Sequence, residues 1–174
     1  MMIREAEFQD AYSIGIVHVE SWKTTYKNII PDDFLDNMSY ERRSDKWKDN
    51  IAQNDQYVFV AENDDGEIVG FADCGKRDEN TTENAGDLTS IYLLEAYQGR
   101  GIGKELFKQL FFKFNELGYN RVFVEVLEGN DACRFYEHYG AKQIKSEQVK
   151  IGGAELNLLT YEWEDVDDVI SKLT

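Results

Sequence analysis

Cations are the scarce class in this 174-residue chain, where 19 Lys and Arg stand against 34 Asp and Glu for a formal net charge of −15. Phosphate backbones are bound by clustered Lys and Arg, so nucleic acid is not expected as a main partner. Cysteine is nearly absent. Cys74 and Cys133 lie far apart and lack companions at zinc-ligand spacing, which points away from a metal site and from a secreted disulfide framework and toward a reducing, cytoplasmic setting. The one proline, Pro31, and the lack of any repeat, low-complexity tract or Pro/Gly linker leave nothing to divide the chain, which reads as one domain over residues 1–174. No stretch reaches 18 uncharged apolar residues, and the first twenty carry Arg4, Glu5, Glu7, Asp10 and Glu20. Neither a signal peptide nor a membrane span is therefore expected, and no membrane partner. The two histidines, His18 and His138, stand alone, without a Ser or Cys arrangement around them.

What is present is a core. Hydrophobic residues make up 42% of the chain, with 10 Phe, 10 Tyr and 3 Trp, and a domain of this length buries roughly 70% of the surface its unfolded form exposes. Ile3 to Ala6 reads as a short strand and the segment through about Trp22 as a helix, Pro31 opens a turn into a short helix, and Tyr40 to Ala52 reads as a charged helix. Tyr57–Glu62 and Glu67–Ala72, joined by Asn63-Asp64-Asp65-Gly66, form a hairpin pattern. Asp87 to Leu94 is a further strand. A helix with Ile102, Leu106, Leu110, Phe111, Phe114 and Leu117 on its apolar side follows and ends at Gly118. Then come a strand at Arg121–Leu127, a short helix from Asn130 to Tyr139, and strands at about Ala141–Ile151 and Glu155–Trp163. This order describes an α/β domain with a mixed sheet.

The informative stretch lies between a strand and a helix: Gln98-Gly99-Arg100-Gly101-Ile102-Gly103-Lys104. Glycines let backbone amides approach a ligand, and a helix start favours negative charge, so the pattern suits a pyrophosphate. The charge is locally reversed to match. Five basic residues stand against two acidic ones from Gln98 to Arg121, a surplus of +3 that leaves −18 for the rest of the chain. Two other phosphate loops fail on spacing. A dinucleotide fingerprint needs glycine at Lys104 or Leu106, and a nucleoside-triphosphate loop needs glycine at Gln98 and a hydroxyl at Glu105.

Gln98, Gly101 and Gly103 do meet the pattern [Q/R]-x-x-G-x-[G/A], and Asn130-Asp131-Ala132-Cys133-Arg134-Phe135-Tyr136-Glu137 through Ala141 follows about 30 residues later. On these two stretches the chain resembles the GNAT N-acetyltransferase superfamily over nearly its full length. The front segment from Ser21 to Pro31, with Trp47, is similar to a bacterial branch. The resemblance implies a central mixed, mostly antiparallel sheet of about seven strands flanked by about four helices. It also implies acetyl-coenzyme A as co-substrate and no metal. The donor would be held by the backbone of Ile91, Tyr92 and Leu93, by Gln98, Gly99, Arg100, Gly101, Ile102, Gly103 and Lys104, and by Asn130 and Tyr136. Trp22 and Tyr26 would face the acceptor.

Amine attack on a thioester needs a deprotonated nucleophile, a donor to the oxyanion and a proton for the departing thiolate. The resemblance assigns the oxyanion to the backbone amide near Leu93 and the proton to Tyr136. For the base it points to an acidic residue near Asp87, with Glu125 on the next strand as the other candidate. Cys133 admits an acyl-enzyme, but direct transfer is the family habit. The acceptor is left open between a small cationic amine such as a polyamine, for which the −18 outside the donor region speaks, and a peptide amino terminus. A non-catalytic acyl-coenzyme A-binding module is the rival to an enzyme, and pairing of the tail strands between subunits leaves a homodimer open.

Overall fold

The structure is a computed structural model that describes residues 1–78 and 82–174. The strands are β1 (Met2–Glu5), β2 (Gln56–Glu62), β3 (Ile68–Lys76), β4 (Ala85–Leu93), β5 (Arg121–Leu127), β6 (Lys142–Ile151) and β7 (Ala154–Trp163). The helices are α1 (Ala11–Thr25), α2 (Asp32–Asp36), α3 (Tyr40–Ala52), α4 (Ile102–Glu116), α5 (Ala132–His138) and α6 (Val166–Leu173). Strand order in the sheet is β1-β2-β3-β4-β5-β7-β6, and β4 with β5 is the parallel pair, so the sheet is mixed and mostly antiparallel as the resemblance implied.

The middle of the sheet is buried on both faces, whereas the outer strand β6 is largely exposed. Along β2, Phe59 and Ala61 point into the larger core, beneath α4, while Val58 and Val60 join Phe71, Ile14, Val17 and Trp47 beneath α1 and α3. This two-sided burial explains why Tyr57–Ala61 is a continuous apolar run and not an alternation. In α4 the side chains of Ile102, Leu106, Phe107, Leu110, Phe111 and Phe114 are buried, a stripe at helical spacing that fixes the helix across the sheet. A third cluster, Tyr26, Ile30, Leu35 and Leu127, binds the end of α1 and α2 to the β6–β7 hairpin.

Two features depart from the sequence reading. Six helices are found among the described residues where about four were expected. The helix beyond Trp163 was not read at all, although Asp165 caps it by accepting from Asp167 N at 3.0 Å and Val166, Val169 and Leu173 form its buried face. Second, the short helix before Tyr139 begins at Ala132 and not at Asn130, because Asn130 Oδ1 accepts the Ala132 amide at 2.9 Å and acts from outside the helix.

A carboxylate sits inside the sheet. Asp73 on β3 is 2% exposed, and its partner is the Ser90 hydroxyl across the ladder on β4. Burial pushes its pKa up to about 7, opposed by that hydrogen bond. An aspartate raised this way holds a proton in the folded state that the unfolded chain has already released. Stability is therefore lost as pH rises from about 4 through about 7. Urea unfolding across that range checks this: Asp73→Asn is expected to remove the part of the wild-type decline that belongs to this group, and parallel wild-type and variant profiles would show that the side chain is already ionised when folded.

Candidate active site

The site begins where two strands part. β4 pairs with β5 only from Ala85–Leu88 against Arg121–Val124, and the register with β3 shifts so that Asp73 faces Ser90 while Cys74 faces Leu88. Thr89 is the extra residue of that bulge, and bulges bend and twist the strand that carries them. β5 meanwhile stays with β7 as far as Leu127 opposite Leu158. The stretch from Thr89 to Leu93 is thus left without a ladder partner on its β5 side. Leu94 N donates to Val69 O on β3, so by strand alternation the amide of Leu93 points the other way, into the opening. Gln98 Nε2 donates to Leu93 O at 3.3 Å from that same side.

A cavity of about 530 Å³ fills this opening. Ile91, Tyr92, Leu93, Gln98, Gly99, Gly103, Asn130 and Tyr136, all expected to contact the donor, line it together. The sequence reading did not include Thr24 and Thr25 from the end of α1, or Phe135, which also line it. Their residue types carry no chemical signature, so only the fold could bring them here.

One end of the cavity is a glycine cradle. Gly99 and Gly101 have φ of +74° and +83°, and a Cβ at either would meet no atom within 4 Å, so both combine a left-handed backbone with open space before them. Gly101 is the N-cap of α4 and supplies no side-chain cap, which leaves the first amides of a 15-residue helix free to meet an anion. A Cβ on Gly103 would touch only the Leu93 side chain, at 3.6 Å, and Gly103 lines the cavity. Arg100 lies over the Tyr97 ring at 5.1 Å, and Lys104 is exposed on the first turn of α4. Ile102 turns its side chain into the core and offers the site only its backbone.

The other end is aromatic. Tyr136 is buried at 4% exposure and packs edge-on against Trp163 with centroids 5.4 Å apart, yet it lines the cavity. Burial raises its pKa above the ordinary tyrosine value, so its proton is retained at neutral pH. Tyr26 and Tyr92 share a hydroxyl hydrogen bond of 2.6 Å, and Asn130 Nδ2 donates to Tyr26 at 3.3 Å. Burial lifts both phenols as well, Tyr92 well above its usual range. Asn130 therefore ties the end of α1 to the start of α5, and Tyr26 carries the link on to β4.

The remaining candidates lie elsewhere. Asp87 sits where β4 is still paired with β5, opposite Phe123, and Arg77 Nη1 holds its carboxylate at 2.7 Å; it does not line the cavity. Glu125 is exposed on β5 opposite Thr160. The two carboxylates that do line the cavity, Glu95 and Asp131, are both exposed. Burial raises the Cys133 thiol above its usual value, which disfavours the thiolate a nucleophile needs. Trp22 is half-buried and stacks edge-on against Tyr26 at 4.8 Å, outside the cavity lining. Among the described residues no cluster of His, Cys, Asp or Glu is arranged to hold a metal ion, and no helix is long and apolar enough to cross a membrane.

Comparison with known proteins bears on the family and the fold. The chain is 35% identical over 164 residues to the uncharacterized N-acetyltransferase YuaI of Bacillus subtilis (strain 168), covering 94% of this chain and 93% of that protein. It is 33% identical over 81 residues to the spermine/spermidine N(1)-acetyltransferase of the same organism, covering 44% of this chain and 53% of the other. In fold it resembles the PaiA N-acetyltransferase of Thermoplasma acidophilum, solved in complex with coenzyme A, with a TM-score of 0.77 at 22% identity over 94% of this chain and 98% of that one. Residues 19–141 match the model of the acetyltransferase (GNAT) family, and the chain belongs to that family.

Proposed function

We propose that this protein transfers an acetyl group from acetyl-coenzyme A directly to a primary amine, with Tyr136 as the acid and the Leu93 amide as the oxyanion donor. The observation that carries the reading is the parting of β4 from β5 beside an uncapped helix start. It puts an unpartnered strand edge and a glycine cradle on one cavity. The residues fit the donor on their own chemistry. Gly99, Gly101 and the first amides of α4 suit a pyrophosphate, and the free edge of Ile91, Tyr92 and Leu93 suits an amide-bearing arm laid along it.

When bound, acetyl-coenzyme A supplies an activated thioester; the chain's own groups do the rest. The Leu93 N–H, aimed into the opening, is placed to stabilise negative charge on a carbonyl oxygen there. Tyr136 holds a proton at its hydroxyl, kept by burial, for a departing thiolate. Neither Asp87 nor Glu125 lies against the cavity, and solvent is the proton acceptor for the amine in this reading. The alternative of a non-catalytic acyl-coenzyme A-binding module loses ground because Tyr136 lines the cavity and, among the described residues, its phenol has no hydrogen bond that would give it a purely structural use. For the acceptor, the net charge of −15 and the partial likeness to a spermine/spermidine acetyltransferase speak for a polycation. The local charge on α3 opposes it.

Two substitutions test this reading. Gly103→Val adds a branched side chain beside the cavity whose Cβ would meet only Leu93, at 3.6 Å, so the variant is expected to fold and to lose most coenzyme A binding by calorimetry; unchanged affinity would remove the cradle assignment. Tyr136→Phe keeps the packed ring and deletes one proton. Turnover, followed as thiol release, is expected to fall at least roughly tenfold with donor binding retained, whereas full turnover would show that the proton comes from elsewhere.

A further inference from the structure

In a chain with 34 acidic residues, α3 sets Arg42, Arg43 and Lys46 along one cavity of about 450 Å³, closed by α2 and by Gly152 in the turn of the β6–β7 hairpin. One carboxylate, Asp33, shares that lining. None of the three cations forms a salt bridge among the described residues. Arg43 is the decisive one. It is half-buried, with its guanidinium 5.6 Å from the centroid of the Trp22 ring, and burial lowers its pKa below the usual arginine value. A partly desolvated cation without a counter-charge is unfavourable in the free protein and favourable once an anion arrives.

The groups around it are donors too. Trp47 Nε1 can only donate, and it donates to His18 Nδ1 at 3.1 Å. Burial, with Arg43 and Lys46 nearby, depresses the His18 pKa to about 3, so the ring is neutral and its one proton sits on Nε2. That Nε2–H is buried without a partner, in a side chain 8% exposed, and the indole N–H of Trp22, stacked on His18 at 5.3 Å, is likewise buried and unpartnered. These two orphan N–H groups lie inside the aromatic cluster and line neither cavity, so within the α2–α3 cavity an anion is met by Arg43, Arg42 and Lys46.

We propose that the α2–α3 cavity is an anion subsite, and that the acceptor is a primary amine that also carries a carboxylate, bound by Arg43 with Arg42 and Lys46 beside it. This rests on the transferase reading and names its substrate class. Trp22 packs on Tyr26 at 4.8 Å, and Tyr26 is bonded to Tyr92, which lines the donor cavity. The two cavities thus border one aromatic cluster, and an acceptor held by its carboxylate at Arg43 would bring its amine to the donor cavity around the edge of those rings. A polyamine placed there would meet three cations. The same chemistry is offered by a free amino acid and by the acidic residue of a peptide with a free amino terminus.

Paired acceptors test it, with kcat/KM compared between 4-aminobutyrate and putrescine, alanine and alaninamide, and the dipeptides Asp-Ala and Asn-Ala with their C-termini amidated. The carboxylate-bearing member of at least one pair is expected to be favoured at least roughly tenfold, the size of one charge-assisted hydrogen bond; preference confined to the dipeptides assigns a peptide source, and preference among the free amines assigns an amino acid. Arg43→Gln is expected to collapse that ratio, and Arg43→Lys to keep part of it. Should Arg43→Gln fail to fold, the double variant Arg42→Gln/Lys46→Gln serves. Calorimetry with N-acetylglutamate supplies a readout apart from turnover. Binding that Arg43→Gln abolishes, with no amine turned over, upholds the anion subsite while removing the transferase reading. Preference for putrescine together with no binding of N-acetylglutamate overturns the subsite and leaves the transferase reading standing.

Discussion

Everything in this molecule that bears on chemistry depends on one interruption of backbone pairing. A parallel pair at the middle of a sheet ordinarily runs the length of both strands, because an unpaired buried amide is costly. Here the ladder between β4 and β5 stops at Leu88 opposite Val124 although both strands continue. The bulge at Thr89 supplies the cause on one side, by twisting β4 toward β3, and the antiparallel partner β7 supplies it on the other, by holding β5 straight to Leu127. The edge that results has its hydrogen-bonding groups aimed into a cavity, the position an extended ligand backbone would take.

An opening of this kind would close or distort unless something spanned it. The span is polar. Tyr26 at the end of α1, Tyr92 on the free part of β4 and Asn130 ahead of α5 form one chain of hydrogen bonds across its far end. Tyr26 and Tyr92 are phenols whose burial holds them neutral, so the brace carries no charge that would demand a counter-ion. At the near end α4, fixed by its buried stripe of Ile102, Leu106, Phe107, Leu110, Phe111 and Phe114, keeps its N-terminus in place. The glycine cradle and the aromatic end are thus anchored independently, one by packing and the other by hydrogen bonds.

How much of this could be read from residues alone follows from the range of the forces involved. The β2–β3 hairpin, α3, α4 and β5 announce themselves through local pattern, and the Gly99–Gly103 loop through glycine spacing. The terminal helix α6 also has a pattern, in Val166, Val169 and Leu173, but its eight residues are crowded with acid and gain their stability from packing. Asp73 and Arg43 were unreadable for a deeper reason. A carboxylate on β3 is ordinary until Ser90 is found opposite it, and an arginine in a charged helix is ordinary until the structure sets it half-buried over the Trp22 ring without a carboxylate partner among the described residues. Asp87 misled in the same way, since nothing local reveals that Arg77 would take its carboxylate.

Charge shows most clearly why totals mislead where contacts decide. The −15 of the whole chain is spread over an exposed surface, and in physiological salt such charges are screened beyond roughly 8 Å. A ligand within the α2–α3 cavity feels chiefly what lines it, and there three cations face one carboxylate. Screening is weakest where desolvation is greatest, so the half-buried Arg43 outweighs many exposed acids on the far faces of the molecule. The overall charge then bears on solubility and on the long-range approach of ligands, whereas in the proposed anion subsite the local field is set by one helix and by a guanidinium without a counter-ion among the described residues.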